Sequence, residues 1–176
     1  MADITQLILD DHDGFRRQFA QLDDLRDDPE RASPIWAALT AALEVHASAE
    51  EEHFYPVLLR KGSEDAVEET EDAIGDHDDI RDGVRRAQAA TVGSAEWWQA
   101  IDDTRAANTE HMGEEEDDAL PDARRSMSLE QREELGVKFQ AFKQEHPGAQ
   151  GLSGENTGTE AYLEAHAPDD TRAADS

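Results

Sequence analysis

The 176-residue sequence predicts an all-α protein: an up-down-up-down antiparallel four-helix bundle with an internal two-fold repeat, followed by a short fifth helix and a disordered C-terminal tail. Three observations predict it. Apolar residues recur at three-four spacing along most of the chain, strand-like alternation is nearly absent, and the polar residues interrupting the apolar stripes come in two copies sixty-five residues apart. In the first copy His12 stands in Asp-His-Asp, and His46 is followed by Glu50, Glu51 and Pro56. In the second, His77 stands in Asp-His-Asp, and His111 is followed by Glu115, Glu116 and Pro121.

The first helix is expected from about Asp3 to Leu25, with Ile4, Ile8, His12, Phe15, Phe19 and Leu22 on one face. Asp28-Pro29 breaks it, and Ser33 before Pro34 reads as the N-cap and first residue of the second helix. That helix aligns Trp36, Leu39, Leu43, His46, Glu50, His53 and Val57, and ends near Lys61-Gly62. Ser63 with Glu64 and Asp65 opens a third, whose inward face reads Val67, Thr70, Ile74, His77, Ile80 or Arg81, and Val84. Gly75 and Gly83 inside it either permit close approach of a neighbour or are tolerated, at roughly 1 kcal/mol each relative to alanine. Ser94 starts the fourth helix, aligning Trp97, Ile101, Thr104, Asn108, His111, Glu115 and Asp118 before a stop at Leu120-Pro121.

A capping box of Ser128 and Gln131 opens the fifth helix, about 128–145, with Leu135, Phe139 and Phe142 on its apolar face. Residues 1–145 are therefore expected to form the bundle with its appended helix. Residues 146–176 hold four of the eleven glycines and two of the six prolines with almost no large apolar side chain, which reads as a disordered tail.

The chain has 43 acidic and 16 basic side chains, a formal charge of −27. Such a surface repels phosphate backbones and anionic lipid, which argues against nucleic acid and membrane surfaces as partners. No cysteine is present, which excludes disulfides, thiolate metal sites and cysteine nucleophiles. The first residues lack a basic stretch and a long apolar run, and the longest apolar stretch, Ile35 to Leu43, is too short to span a bilayer. A cytoplasmic protein, monomeric or weakly self-associating, is the expectation. No glycine-rich phosphate loop or nucleophile constellation is present.

Residues at i and i+4 share a helical face, so His46 projects with Glu50 and His111 with Glu115. Each sits where the stripe otherwise demands Leu or Val. An ionised carboxylate buried without a partner costs several kcal/mol, so folding alone would not place two there. Cations reverse that sign. Four imidazoles and two carboxylates converging on one cavity fit two metals bridged by both carboxylates, and nitrogen and oxygen donors with open positions suit iron ahead of manganese. The remaining acids of Glu50 to Glu52 and Glu114 to Asp118 read as solvated faces, and His146 and His166 as bystanders.

A chain carrying His, His-x3-Glu, His and His-x3-Glu across four helices resembles the hemerythrin family, specifically the bacterial hemerythrin-like cation-binding (HHE) domains, over about residues 1 to 122. The resemblance implies a non-haem di-iron centre, oxo- or hydroxo-bridged. In it His12 and His46 bind one iron, His77 and His111 the other, and Glu50 and Glu115 bridge them. It further implies that dioxygen or a related small ligand, nitric oxide or peroxide, is the partner. Oxygen-carrying members have a fifth His one turn after the position matching His77, where this chain has Arg81. By that likeness the second iron has one fewer nitrogen ligand and one more open position. This shifts the expectation from reversible oxygen carriage towards peroxide turnover, nitric oxide binding or sensing.

Arg81 is expected either to pair with a bridging glutamate or to point to water. His53, three residues after Glu50, is either an additional ligand or proton-transferring neighbour, or a half-buried packing residue. Glu50-x-x-His53 also matches half of a ferritin-like signature, but Asn108 and Ile74 stand where a second half would need Glu. The expected function is a small-ligand di-iron protein for sensing, storage or detoxification. A peroxide-decomposing enzyme and an iron-dependent regulator are the alternatives.

Overall fold

The computed structural model describes residues 2–167, and all regular structure within them is helical. Helix α1 (Ile4–Asp24) is capped by the Asp3 carboxylate, which accepts the Thr5 N–H, and buries Ile4, Ile8, His12, Phe15, Phe19 and Leu22. Helix α2 (Pro29–His53) begins earlier than the Ser33-Pro34 signal suggests, because Asp28 caps it and Pro29 occupies its first turn. Pro34 lies inside this helix.

The two prolines that follow the His-x3-Glu motifs mark the next breaks. Neither Pro56 nor Pro121 can donate an N–H, and each ring crowds the carbonyl four residues back. After Glu50 the helix is interrupted at Phe54, and α3 (Tyr55–Lys61) follows. After Glu115 the backbone widens into a π turn over Glu115–Ala119, which leads into α6 (Leu120–Ser126). The wider turn shifts the inward phase by one residue. Ala119 is buried in place of Asp118, which is exposed against expectation.

Helices α4 (Ala66–Ala89) and α5 (Ala95–Glu114) pack along each other. A Cβ on Gly83 would meet the Thr104 hydroxyl at 2.2 Å, so close approach is the reason for glycine there, whereas Gly75 has nothing nearer than 4.0 Å. Links between α2 and α4, Glu44 to Arg81 and Glu51 to His77, rise in number on one helix as they fall on the other. Those between α5 and the end of α1 with the turn after it do the same, Asp23 meeting Arg105 and Arg26 meeting Asp102. Two apolar clusters fill the interior, one including Ile8, Ala49, Ile74 and Ala119 and the other Phe15, Leu43, Ile80 and Met112. His12 lies between Ile8 and Phe15, His46 between Leu43 and Ala49, and His77 between Ile74 and Ile80, where each helix passes from one cluster to the other.

The expectation of disorder from residue 146 is overturned as far as Ala167. Helix α7 (Leu129–Glu145) packs across α1 and α2, burying Leu135, Phe139 and Phe142. Beyond it the chain crosses to α4, against which α8 (Thr159–His166) packs. The Asp78 carboxylate accepts the Thr157 and Gly158 N–H groups at 2.8 and 2.9 Å, and Arg85 donates to the Gly154 carbonyl at 2.7 Å. Tyr162 is buried, its hydroxyl donating to the Glu51 carbonyl at 2.6 Å. The glycines that suggest disorder supply turns: Gly148, Gly151, Gly154 and Gly158 all have positive φ. The remainder of the expected tail, 168–176, lies outside the described residues.

One aromatic ring anchors this segment, so Tyr162→Ala should release it locally at a cost of about 2–4 kcal/mol. Amide exchange should accelerate through 150–167 while α1, α2, α4 and α5 stay protected. Uniform loss of protection would instead make the segment part of the global core.

Candidate metal centre

Six polar side chains meet in the interior of α1, α2, α4 and α5. His12, His46, Glu50 and Glu115 bring one ligand atom each to a common point, all within 4.8 Å of one another, and Glu50, His77 and His111 form a second such group. Glu50 belongs to both. His46 Nε2 lies 3.0 Å from Glu50 Oε1, and His77 Nε2 3.4 Å from Glu50 Oε2. Glu115 Oε2 lies 3.1 Å from His12 Nε2 and 3.6 Å from His111 Nε2. All six residues are at most 3 % exposed.

These contacts are close but do not satisfy the atoms involved. His12 Nε2, His46 Nε2, both Glu50 oxygens and Glu115 Oε2 are buried without an aligned hydrogen-bond partner. Unsatisfied buried polar atoms are expensive, and here they face one another across a single space. Nitrogen and carboxylate oxygen donors in that arrangement fit a metal site.

The outer nitrogens are satisfied by carboxylates. His12 Nδ1 is 2.8 Å from Glu116, His46 Nδ1 3.0 Å from Asp11, and His77 Nδ1 2.9 Å from Glu51. His111 Nδ1 is 3.8 Å from Asp76, beyond hydrogen-bond distance. A proton held on Nδ1 leaves Nε2 as the lone-pair donor facing inward. Glu51 and Glu116 thus have a positioning part that the solvated-face reading denied them. Asp11, Asp76 and Tyr55 also escaped sequence reasoning. The buried Tyr55 hydroxyl donates to Glu115 Oε1 at 2.5 Å, which directs the other oxygen to the cluster.

A signal for the outer carboxylates existed. Asp11 and Asp76, and Glu51 and Glu116, stand sixty-five residues apart, like the inner six. Arg16 and Arg81 obey the same offset, and each donates to the carboxylate that holds the neighbouring His: Arg16 to Glu116 at 2.8 Å, Arg81 to Glu51 at 2.9 Å. Arg81 therefore pairs with neither Glu50 nor Glu115, and it does not point out to solvent. It is buried, also bonding Glu44 at 3.0 Å. His53 is not brought to the cluster; its ring packs edge-on against Phe142 of α7, 5.8 Å between centroids.

The protonation pattern follows from this packing. Burial opposes a charged His46, but Glu50 and Asp11 outweigh it and raise its pKa to about 10. His77 rises to about 9 against burial through Glu50 and Glu51. In His111 burial wins over Glu115, and the pKa falls to about 3. Burial would raise Glu115, yet His111, His12 and His46 hold it well below the usual carboxylate range. Glu51, against burial, is held down to about 2 by His77 and Arg81.

The two arginines differ in exposure, 5 % for Arg81 and 46 % for Arg16, and so should their deletions. Arg81→Ala strands two largely buried carboxylates and should cost about 2–4 kcal/mol in denaturant unfolding. Arg16→Ala should cost less than about 1 kcal/mol. Equal losses would refute the assignment of the buried clamp to Arg81 alone.

No helix of the described residues is long and apolar enough to cross a membrane. Comparisons with curated proteins and with solved structures returned no match. The family model of the Hemerythrin HHE cation binding domain matches residues 3–123, the stretch that supplies every member of the interior cluster. The chain belongs to the hemerythrin HHE cation-binding family.

Proposed function

We propose that this chain is a non-haem di-iron protein that binds dioxygen, nitric oxide or peroxide for sensing, storage or detoxification. In this reading His12 and His46 hold one iron, His77 and His111 the other, and Glu50 and Glu115 bridge them. The fold would be an up-down-up-down four-helix bundle with an internal two-fold repeat. The observation that carries the proposal is the pair of ligand groups sharing Glu50. The opposed numbering of the helix-to-helix links supports the topology, and the sixty-five-residue offset of ligands, outer carboxylates and arginines supports the repeat.

When bound, iron would supply ferrous–ferric redox chemistry and Lewis acidity at its open positions. The protein's own residues set the rest. Asp11, Glu51 and Glu116 fix three rings with Nε2 inward, and Tyr55 orients Glu115. Arg81 is turned away from the cluster to Glu44 and Glu51, and the side of His77 and His111 has three converging groups where the other, which also takes Glu115, has four. Open coordination is accordingly assigned to that side. A cavity of about 490 Å³, walled by Leu43, Ala47, Ile80 and Val84 among others, reaches His77 and suits a small neutral ligand. Peroxide decomposition at the same open side is the second reading, favoured by the same three-group site.

Protein purified without added metal should carry two irons per chain, and Glu50→Ala should lose both. Asp11→Asn should weaken metal binding by roughly 10–100-fold, because it releases His46, while His53→Ala should change neither stoichiometry nor ligand spectra. Chelation should lower the melting temperature by several degrees, since stabilisation by a bound metal grows with the logarithm of its saturation. Difference spectra with azide, oxygen and nitric oxide should show charge-transfer bands. Native material with no transition ion would end the proposal, and steady oxygen release from peroxide, lost in Glu115→Ala, would favour the enzyme reading.

A further inference from the structure

A second cavity, about 280 Å³, opens where the first half of α4 faces the end of α5 and the π turn. Asp65, Glu68, Glu69, Asp72, Glu114 and Asp118 line it, and no Lys or Arg does. Carboxylates alone would be a solvated surface. This cleft differs because its floor is made by His111 and Glu115, each 2 % exposed. Behind that floor, Glu115 Oε2 faces the interior cluster and is buried without a hydrogen-bond partner.

Two further observations concern what the cleft can pass. Glu69 Oε2 is likewise buried and unpartnered, and burial together with Asp122, Asp118 and Asp65 pushes the Glu69 pKa up to about 7. The walls therefore repel one another and gain from a cation between them. At the floor, His111 is the one ring of the four whose Nδ1 lacks a carboxylate within hydrogen-bond distance, 3.8 Å against 2.8 to 3.0 Å for the others. Its Nε2 meets His77 Nε2 at 3.2 Å, but on the Nδ1 side it is the least restrained of the four rings. The cavity reaching His77 is lined by Arg81 and Arg85 together with Glu44 and Glu155, and so lacks the one-signed field of the cleft.

We propose that the acidic cleft is the path by which divalent cations reach the buried centre, its carboxylates passing the ion to His111 and Glu115. This rests on reading the interior cluster as a metal centre. Walls of one sign raise the local counter-ion concentration, and arrival rates by roughly 10–10³-fold. Half-exposed carboxylates hold a divalent ion too weakly to retain it, whereas the buried mixed nitrogen and oxygen donors inside bind it more tightly. The cleft is then a transit site and not a third resting site.

The test follows uptake of cobalt(II) by its absorbance in stopped flow, using the full-length chain stripped by chelation. The comparison is with Glu68→Gln/Glu69→Gln/Asp72→Asn/Asp118→Asn, whose fold is checked by its helical circular dichroism. Uptake by this variant should be at least tenfold slower at low ionic strength, with final stoichiometry and spectrum unchanged. The gap should shrink as salt screens the walls. The single change Glu68→Lys should slow uptake in the same direction, and Arg85→Gln, on the other cavity, should not. Equal rates with full cobalt uptake overturn the path and leave the metal centre standing. Loss of one stoichiometric cobalt in the variant overturns transit in favour of a static site. No cobalt uptake by the unmodified chain overturns both readings.

Discussion

Two carboxylates, Glu50 and Glu115, lie at 0 and 2 % exposure among four imidazoles, and the rest of the structure is arranged around that burden. Anions in a water-poor interior need positive charge beside them or hydrogen bonds to every lone pair. Only one of the four oxygens, Glu115 Oε1, has a hydrogen bond, from Tyr55. The raised pKa values of His46 and His77 express the same demand through protons. A bound cation would answer it more completely, because metal–ligand bonds satisfy the lone pairs as well as the charge. The apolar clusters on either side deepen the demand by excluding water, so the packing that stabilises the helices also strengthens the site.

The inner six residues were legible because helix periodicity makes them conspicuous. Each interrupts an apolar stripe at a phase where only a buried side chain fits, and the sixty-five-residue offset repeats the interruption. The outer carboxylates were illegible by the same criterion. Glu51 and Glu116 sit one position past the inward phase, at 12 and 28 % exposure, and look like any solvated acid. Only their partners reveal them, and partners come from other helices. Arg81 was misjudged for a related reason: seen along one helix it faces the interior, but its acceptors, Glu44 and Glu51, belong to α2. The π turn was hidden because it depends on how Pro121 is accommodated, and a proline at that position is compatible with a stop, a kink or a widened turn. The C-terminal segment was misread because glycine content cannot distinguish a loose chain from one folded into positive-φ turns.

The segment beyond the family match has a further consequence. Lys143 of α7 grips both oxygens of Asp11, the carboxylate that holds His46, and Phe139 packs against the His46 ring at 5.9 Å. Thr157 donates to Glu51, the carboxylate that holds His77, and Tyr162 ties down the backbone of the same residue. Two of the outer carboxylates are thus braced by residues outside 3–123, and a third by Arg16. The fourth, Asp76, has no such brace; its Oδ2 is buried without a hydrogen-bond partner. The sixty-five-residue pattern is therefore symmetric in residue identity and asymmetric in support.

That asymmetry has a direction. Two braced sides are those covered by α7 and by the segment leading to α8, the third is held by Arg16 of α1, and the unbraced ring, His111, faces the acidic cleft. A centre enclosed equally on all sides would retain cations well but admit them slowly, because every ligand would have to break a second hydrogen bond to move. A centre loose throughout would exchange its ions with solvent. Holding three rings at Nδ1 by carboxylates and leaving the Nδ1 of His111 without one separates the two requirements, and on the proposed path capture falls to His111 and retention to the other three. The charges outside differ as well, carboxylates alone above His111 and arginines mixed with glutamates beside His77, which is the contrast the proposed entry path for cations requires.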